Sequence, residues 1–326
     1  LDRPRRRPRP ALSAALGAFA AAAALAAPGD PPIRALHWIA RGADVRRALA
    51  TEPTECLTRS ADPAGALSVE VGRAAFRTPV LLGGQAARAG LACETCHRAG
   101  RTNPDFAFPG VSGPPGTADV TDSLFSSHRG DGVFNPRPIP DLSGPKASLK
   151  VDQARQGAAL EGFIHGLVTQ EFDGPQPPAP VLKGLADYVR ALSPAACPEP
   201  ARRRIDSGLW IDDARRAVLA ARGEAARGEA PTAILMLAAA RARLGLIDER
   251  MAGSRLAPLR ERLRAASRDL EAVQESLRRG GPSPDAALAA WLESLPPLAR
   301  ALKAAEPRSL FDPGRLAAAA KRRLPG

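Results

Sequence analysis

The sequence predicts an all-α protein, in which a segment of short helices and long loops is followed by a bundle of long helices. Three observations carry this. From Ile205 onward apolar residues recur every three or four positions, as in Leu256, Leu259, Leu263 and then Leu270, Val273, Leu277, the period of a helix with one buried face. Upstream the helical patterns are short, and a Gly- and Pro-rich stretch over residues 101–150 interrupts them. The chain is 44% hydrophobic but only 4% aromatic, and Ala carries much of the apolar count, so its cores are built from small helical residues.

In chain order, Asp2-Arg3-Pro4-Arg5-Arg6-Arg7 forms a basic start and residues 11–26 an uncharged run rich in Ala and Leu. Ala24-Leu25-Ala26 then offers a small-x-small cleavage pattern before Pro28-Gly29. Residues 1–27 therefore read as a signal peptide, which implies export, in a bacterium to the periplasm. The short, Ala-rich run favours a cleaved signal, with an uncleaved anchor that would hold the chain at the membrane as the rival reading, and no other stretch reads as spanning a bilayer. Residues 28–198 form the first expected domain: a Pro-bearing lead-in with a helix near 44–50, then helices near 69–77, 90–98, 153–170 and 180–192. A structureless loop as long as 101–150 is suspect in an ordinary domain and tolerable where it wraps a ligand. Pro194, Pro198 and Pro200 mark a linker. Residues 199–326 form the second expected domain, with helices near 206–228, 231–246, 249–279, 284–304 and 313–323, broken by Gly280-Gly281-Pro282 and by Pro296-Pro297.

Charge divides the same way. The net +12 is uneven: residues 31–200 hold 17 basic and 17 acidic side chains, whereas residues 201–326 hold 24 basic against 15 acidic. A basic helical segment suits an acidic partner protein or an anionic lipid surface, and no nucleic-acid module accompanies it.

The chemistry concentrates in Cys93-Glu94-Thr95-Cys96-His97, the C-x-x-C-H pattern of c-type haem attachment. Two thiols three positions apart on one helical turn can add to the same porphyrin edge, and the His that follows can present Nε2 to the iron. Such a ligand has its other ring nitrogen held by a carbonyl, for which the Pro-rich loop 103–116 is the expected source. A structural zinc site would need a second Cys/His pair at ligand spacing, a thioredoxin-like redox pair a βαβ setting, and a plain disulfide between Cys93 and Cys96 leaves His97 unexplained. The remaining cysteines, Cys56 and Cys197, are expected to form a disulfide across the charge-neutral segment, with two unrelated buried thiols as the alternative.

Residues 71–82, Val-Gly-Arg-Ala-Ala-Phe-Arg-Thr-Pro-Val-Leu-Leu, followed by Ala92 and the motif, resemble the opening of cytochrome c domains in the bacterial di-haem cytochrome c peroxidase superfamily, which includes the methylamine-utilisation maturation enzymes. Residues 182–192 resemble the helix that closes many cytochrome c domains. The resemblance covers about residues 68–193 and implies a cytochrome c-like fold with one covalent haem c at Cys93, Cys96 and His97. Those peroxidases carry two haem motifs; this chain has one.

The sixth iron ligand stays open. Met236 and Met251, the only methionines, fall in the basic helical segment. His128, in the polar loop Ser126-Ser127-His128-Arg129-Gly130-Asp131-Gly132, is the first candidate. His165, on the stripe of Val168 and Phe172, is the second, and His37 beside Trp38 is a third. Water in an open site, or a Met reaching across, completes the set. With an open site, Arg129, Asp131 and Arg101 are the polar side chains expected nearby. The function expected is one-electron transfer with a partner protein; a peroxidase-like enzyme or a haem-based ligand sensor is the alternative.

Overall fold

The computed structural model describes residues 32–144, 149–154, 157–197 and 202–322. The signal segment expected over residues 1–27, and Pro198 and Pro200 of the linker, lie outside them. The chain is mostly helical, 59% helix against 6% strand, as an all-α reading requires.

The first half opens with α1 (Val45–Ala50), capped by Asp44, and a short strand β1 (Thr51–Pro53). Next comes α2 (Pro63–Phe76), which begins earlier than periodicity suggests. Asp62 accepts the N–H groups of Ala64 and Gly65, and Pro63 fills a first-turn position that needs no donor. After α3 (Gly84–Arg88) comes α4 (Cys93–Cys96), a single turn where the pattern predicts a helix over 90–98. The reason is local: His97 leaves the helical region, and His97–Arg98 (β2) folds back on Arg101–Thr102 (β3). The long loop then runs to α5 (Ala159–Gly166), and within it β4 (Thr117–Ala118) pairs with β5 (Arg137–Pro138). Leu167–Glu171 continues α5 as a π-helical turn, and α6 (Ala179–Ala191) ends the segment.

Helices α2 and α6 cross in contact through two glycines: a Cβ on Gly72 would lie 1.8 Å from the carbonyl oxygen of Gly184. No other residue permits backbones to meet this closely. Around the crossing Val71, Ala75, Phe76, Leu185, Tyr188 and Leu192 are buried. Cys56 pairs with Cys197 as a disulfide, Cα atoms 5.3 Å apart and 141 residues distant in sequence.

Strand β6 (Arg202–Arg204) pairs antiparallel with β1, so the second half starts alongside the first. Helices α7 (Ser207–Ala226), α8 (Ala230–Arg250), α9 (Ala257–Arg278) and α10 (Asp285–Ala305) follow. They pack in a ring, each on the next and α10 back on α7. The short connections make neighbours antiparallel. The helix expected over 249–279 is split, because Gly253 at φ 107° turns the chain between α8 and α9. Conversely, Pro296-Pro297, expected to break a helix, lies inside α10. Both prolines sit on its exposed face, where carbonyls that lose their donors reach water, while Leu295, Leu298 and Leu302 carry the buried stripe past them. Helix α8 is long and apolar enough to cross a membrane by length and composition, contrary to the sequence reading, yet here it packs against α7, α9 and α2. The last helix, α11 (Pro313–Lys321), returns to α1, where Leu316 and Ala319 join Ile33, Leu49 and Ala50. One apolar cluster runs from Trp38 through α2, α6 and the ring to Phe311.

Candidate functional site

The cysteine turn is held from both sides. The Ala92 N–H donates to Thr95 Oγ1 at 3.0 Å, which caps the turn from within. Asn103 fastens its far end: its backbone N–H donates to Cys96 O at 2.9 Å and its Nδ2 to Thr95 O at 2.8 Å. Between β2 and β3 the chain reverses on Ala99 and Gly100, both left-handed at φ 51° and 79°, the two-residue turn whose twist matches a hairpin. Gly100 is also pressed on Leu192 just beyond α6, where an added Cβ would come within 2.4 Å of its Cδ1. The motif is thereby seated against the α2–α6 crossing.

His97 Nδ1 lies 3.0 Å from Pro140 O. A carbonyl oxygen only accepts, so the proton is on Nδ1 and Nε2 keeps its lone pair. The carbonyl was expected from loop 103–116 and comes instead from Pro140. Thr102 Oγ1 donates to Ile139 O at 2.8 Å and the Leu142 N–H to Gly100 O at 2.9 Å, which lays residues 139–142 beside the hairpin. The Phe76 ring sits 6.4 Å from His97 and 5.0 Å from Tyr188, centroid to centroid. Burial pushes the His97 pKa down to about 4, so the imidazole is neutral near pH 7. Burial likewise raises the thiols of Cys93 and Cys96 to about 12, and neither is bridged.

The other candidates are engaged elsewhere. His128 is exposed on its loop, with Nδ1 3.0 Å from Asp173 Oδ1. His165 Nε2 lies 2.6 Å from Gln176 Oε1, and His37 is exposed on the lead-in. Met236 and Met251 are wholly buried in the helical ring. Arg129 pairs with Glu171 at 2.5 Å and with Gln170; Asp131 Oδ1 accepts the Val133 N–H; Arg101 lies near Asp141 and the Cys56 sulfur. Among the described residues no three His, Cys, Asp or Glu side chains gather into a group that could hold a metal by themselves.

Sequence reasoning missed a buried charge network behind the turn. Arg73 Nε lies 2.7 Å from Glu55 Oε2, and its Nη2 is 2.5 Å from Asp213 Oδ1. Arg77 Nη2 bonds Glu55 Oε1 at 2.6 Å, and its Nε faces Glu94 Oε1 at 2.9 Å, an ion pair without hydrogen-bond alignment. Arg243 of α8 bonds the other Glu94 oxygen and lies 3.5 Å from Asp213. Tyr188 donates to Glu55 at 2.8 Å. Burial opposes ionisation of Glu55 and Asp213, but the adjacent guanidiniums outweigh it and hold both below the ordinary carboxylate range, Asp213 at about 2. The readable signal was Arg73 and Arg77, four apart on the otherwise apolar stripe of α2. A cavity of about 150 Å³ opens on this rear side, lined by Trp38, Glu94, Arg98, Trp210, Arg243 and Arg250 among others, and does not touch Cys93, Cys96 or His97.

Compared with protein-family models, curated proteins and solved structures, the chain finds no match in any of the three.

Proposed function

We propose that the chain is an exported c-type cytochrome that binds one haem through thioether bonds to Cys93 and Cys96, with His97 as axial ligand, and exchanges single electrons with a partner protein. The observation that carries this reading is the state of His97. Its Nδ1 proton is committed to Pro140 O, so a neutral Nε2 lone pair is ready for iron beside two unbridged thiols on the same turn. The donor set fits haem c and fits other groups poorly, since a zinc site would need further ligands near the turn. When bound, the haem supplies the one-electron couple. The chain's own residues hold and orient it: Asn103 fixes the turn, Pro140 the imidazole plane, and Phe76 packs against the imidazole. The basic surface of the helical ring suits an acidic redox partner, and the basic, Ala-rich start supports export to the periplasm.

Of the candidate sixth ligands, His128 is favoured over His165. Asp173 orients His128 Nδ1 and leaves Nε2 free, whereas His165 Nε2 is taken by Gln176. The burial of both methionines in the helical ring favours, as a second reading, an open sixth position and a peroxidase-like or ligand-sensing haem.

The test is co-expression of the chain with a haem-attachment system. The first reading expects a mass increased by one haem and a six-coordinate low-spin spectrum. A high-spin spectrum that shifts with cyanide or carbon monoxide selects the second reading, and a colourless chain of unmodified mass removes both.

A further inference from the structure

The residue between the two haem-binding thiols that points away from them is Glu94, and it belongs to the buried network. Both its oxygens are used, one toward Arg77, just past the end of α2, and the other by Arg243 of α8. Asp213 of α7 lies between Arg73 and Arg243, and Glu55 of the lead-in between Arg73 and Arg77. Three guanidiniums thus meet three carboxylates, the side chains of all but Glu94 at least nine-tenths buried, and the Arg216–Glu70 pair flanks them with Arg216 4.0 Å from Glu55. The six charges of this core cancel, so removing one leaves the set out of balance by one unit. At such burial each charge acts through a medium of far lower effective permittivity than water.

Resting on the cytochrome reading, we propose that Glu94 and Arg243 are positioning residues for the haem: the helical ring grips the attachment turn through this pair and sets the charge balance behind that turn, and so the reduction equilibrium of a haem held there. A ring that merely filled space would need no buried arginine reaching the variable position of the motif. The sign of the effect follows from the chemistry of arginine. If Glu94 loses its charge, Arg77 and Arg243 cannot answer by shedding a proton, so one positive charge remains beside the turn. That charge disfavours the more positive ferric state and shifts the equilibrium toward ferrous haem.

The test uses the full chain carrying haem. Glu94→Gln is expected to shift the reduction equilibrium about tenfold toward the ferrous state, a midpoint about 59 mV higher for a one-electron couple. Glu94→Asp, which keeps the charge, should stay within about twofold of the parent, and the double variant E94Q/R243Q, which removes one charge of each sign, should return to that range. A haem-bearing E94Q that does not move, or a double variant displaced as far as E94Q, overturns the proposal. A second readout needs no haem. In a chain with Cys93→Ala and Cys96→Ala, E94Q and R243Q should each lower the melting temperature, and the double variant should lose clearly less than the sum. Additive losses overturn the pairing, and this cycle decides alone if E94Q folds without taking up haem. A parent chain that takes up no haem removes the cytochrome reading, whereas the haem-free cycle still reports on the grip itself.

Discussion

The segment around the cysteine turn and the ring of α7–α10 are held together by different means. In the ring, Leu263, Ala266 and Leu270 of α9 and Leu288, Trp291, Leu295, Leu298 and Leu302 of α10 make continuous buried stripes, and the connections are short. Apolar area does the holding there, and no single bond is decisive. Among the described residues between 97 and 158 regular structure is scarce, and around a few buried apolar side chains such as Phe106, Val111 and Phe125 position is fixed by individual polar bonds: Asn103 to the turn, Pro140 to His97, Ser126 and Arg129 to residues 170 and 171. A region held by area degrades gradually under substitution; a region held by a few directional bonds loses its shape when one is removed. On the proposed reading the loop segment presents an imidazole and two thiols in fixed register, and directional bonds suit that task.

Substitutions can break or sharpen this contrast. The largest loss is expected for Arg73→Met, which takes one guanidinium from both Glu55 and Asp213 in the seam between the regions; removing one partner of a buried pair costs about 5 kcal/mol at the upper end. Urea denaturation should show both regions destabilised together. Replacing Cys56 and Cys197 by Ala should cost about 4 kcal/mol through the long span they close. Hydrogen exchange should report that loss in the loop segment before the ring. Leu270→Ala should cost about 3 kcal/mol and leave its mark in the ring, measured by the same exchange. Asn103→Ala removes a bond to Thr95 O and should cost only about 1 kcal/mol, yet lower the yield of haem attachment in co-expression. Mild acid should also weaken the haem-free chain. His97 titrates well below its unfolded value, so between about pH 6.5 and 4 the unfolded state binds the extra proton and stability falls as the pH is lowered. Below that window Asp213 continues the loss as it protonates toward about pH 2. A melting series from pH 7 to 4 that stays flat would show His97 to be more open to water than its surroundings indicate.

The two regions were also unequally legible in the sequence. The ring declared itself through a single period, because a helix with one buried face repeats its apolar residues regardless of what it packs on. Its errors were at breaks: Pro296 and Pro297 do not stop α10 because their face is solvated, and Gly253 does stop α8 where the apolar pattern continues. The motif was legible because its spacing is its chemistry, and the Cys56–Cys197 pairing because two cysteines remained. What surrounds the motif was not. The carbonyl that holds His97 comes from 43 residues downstream, and a backbone acceptor has no side-chain signature. The network of Arg73, Arg77, Glu94, Asp213 and Arg243 looked like ordinary surface charge, since only the packing of α2 against α7 and α8 buries it. Neutrality over residues 31–200 concealed that two of its members belong to the other half of the chain.

The span of 149 residues between Glu94 and Arg243 has a consequence for the order of events on the ribosome. At roughly 5–20 residues per second, synthesis leaves the cysteine turn without its distant arginine for on the order of ten seconds. During that interval Cys93 and Cys96 sit on a nascent strip with no ring behind it, and on the export reading proposed above the turn meets a haem-attachment system only after the chain has left the ribosome. The late arrival of α8 then closes the rear of the turn at Glu94, so the last contact that holds the turn is made only when most of the chain has been synthesised.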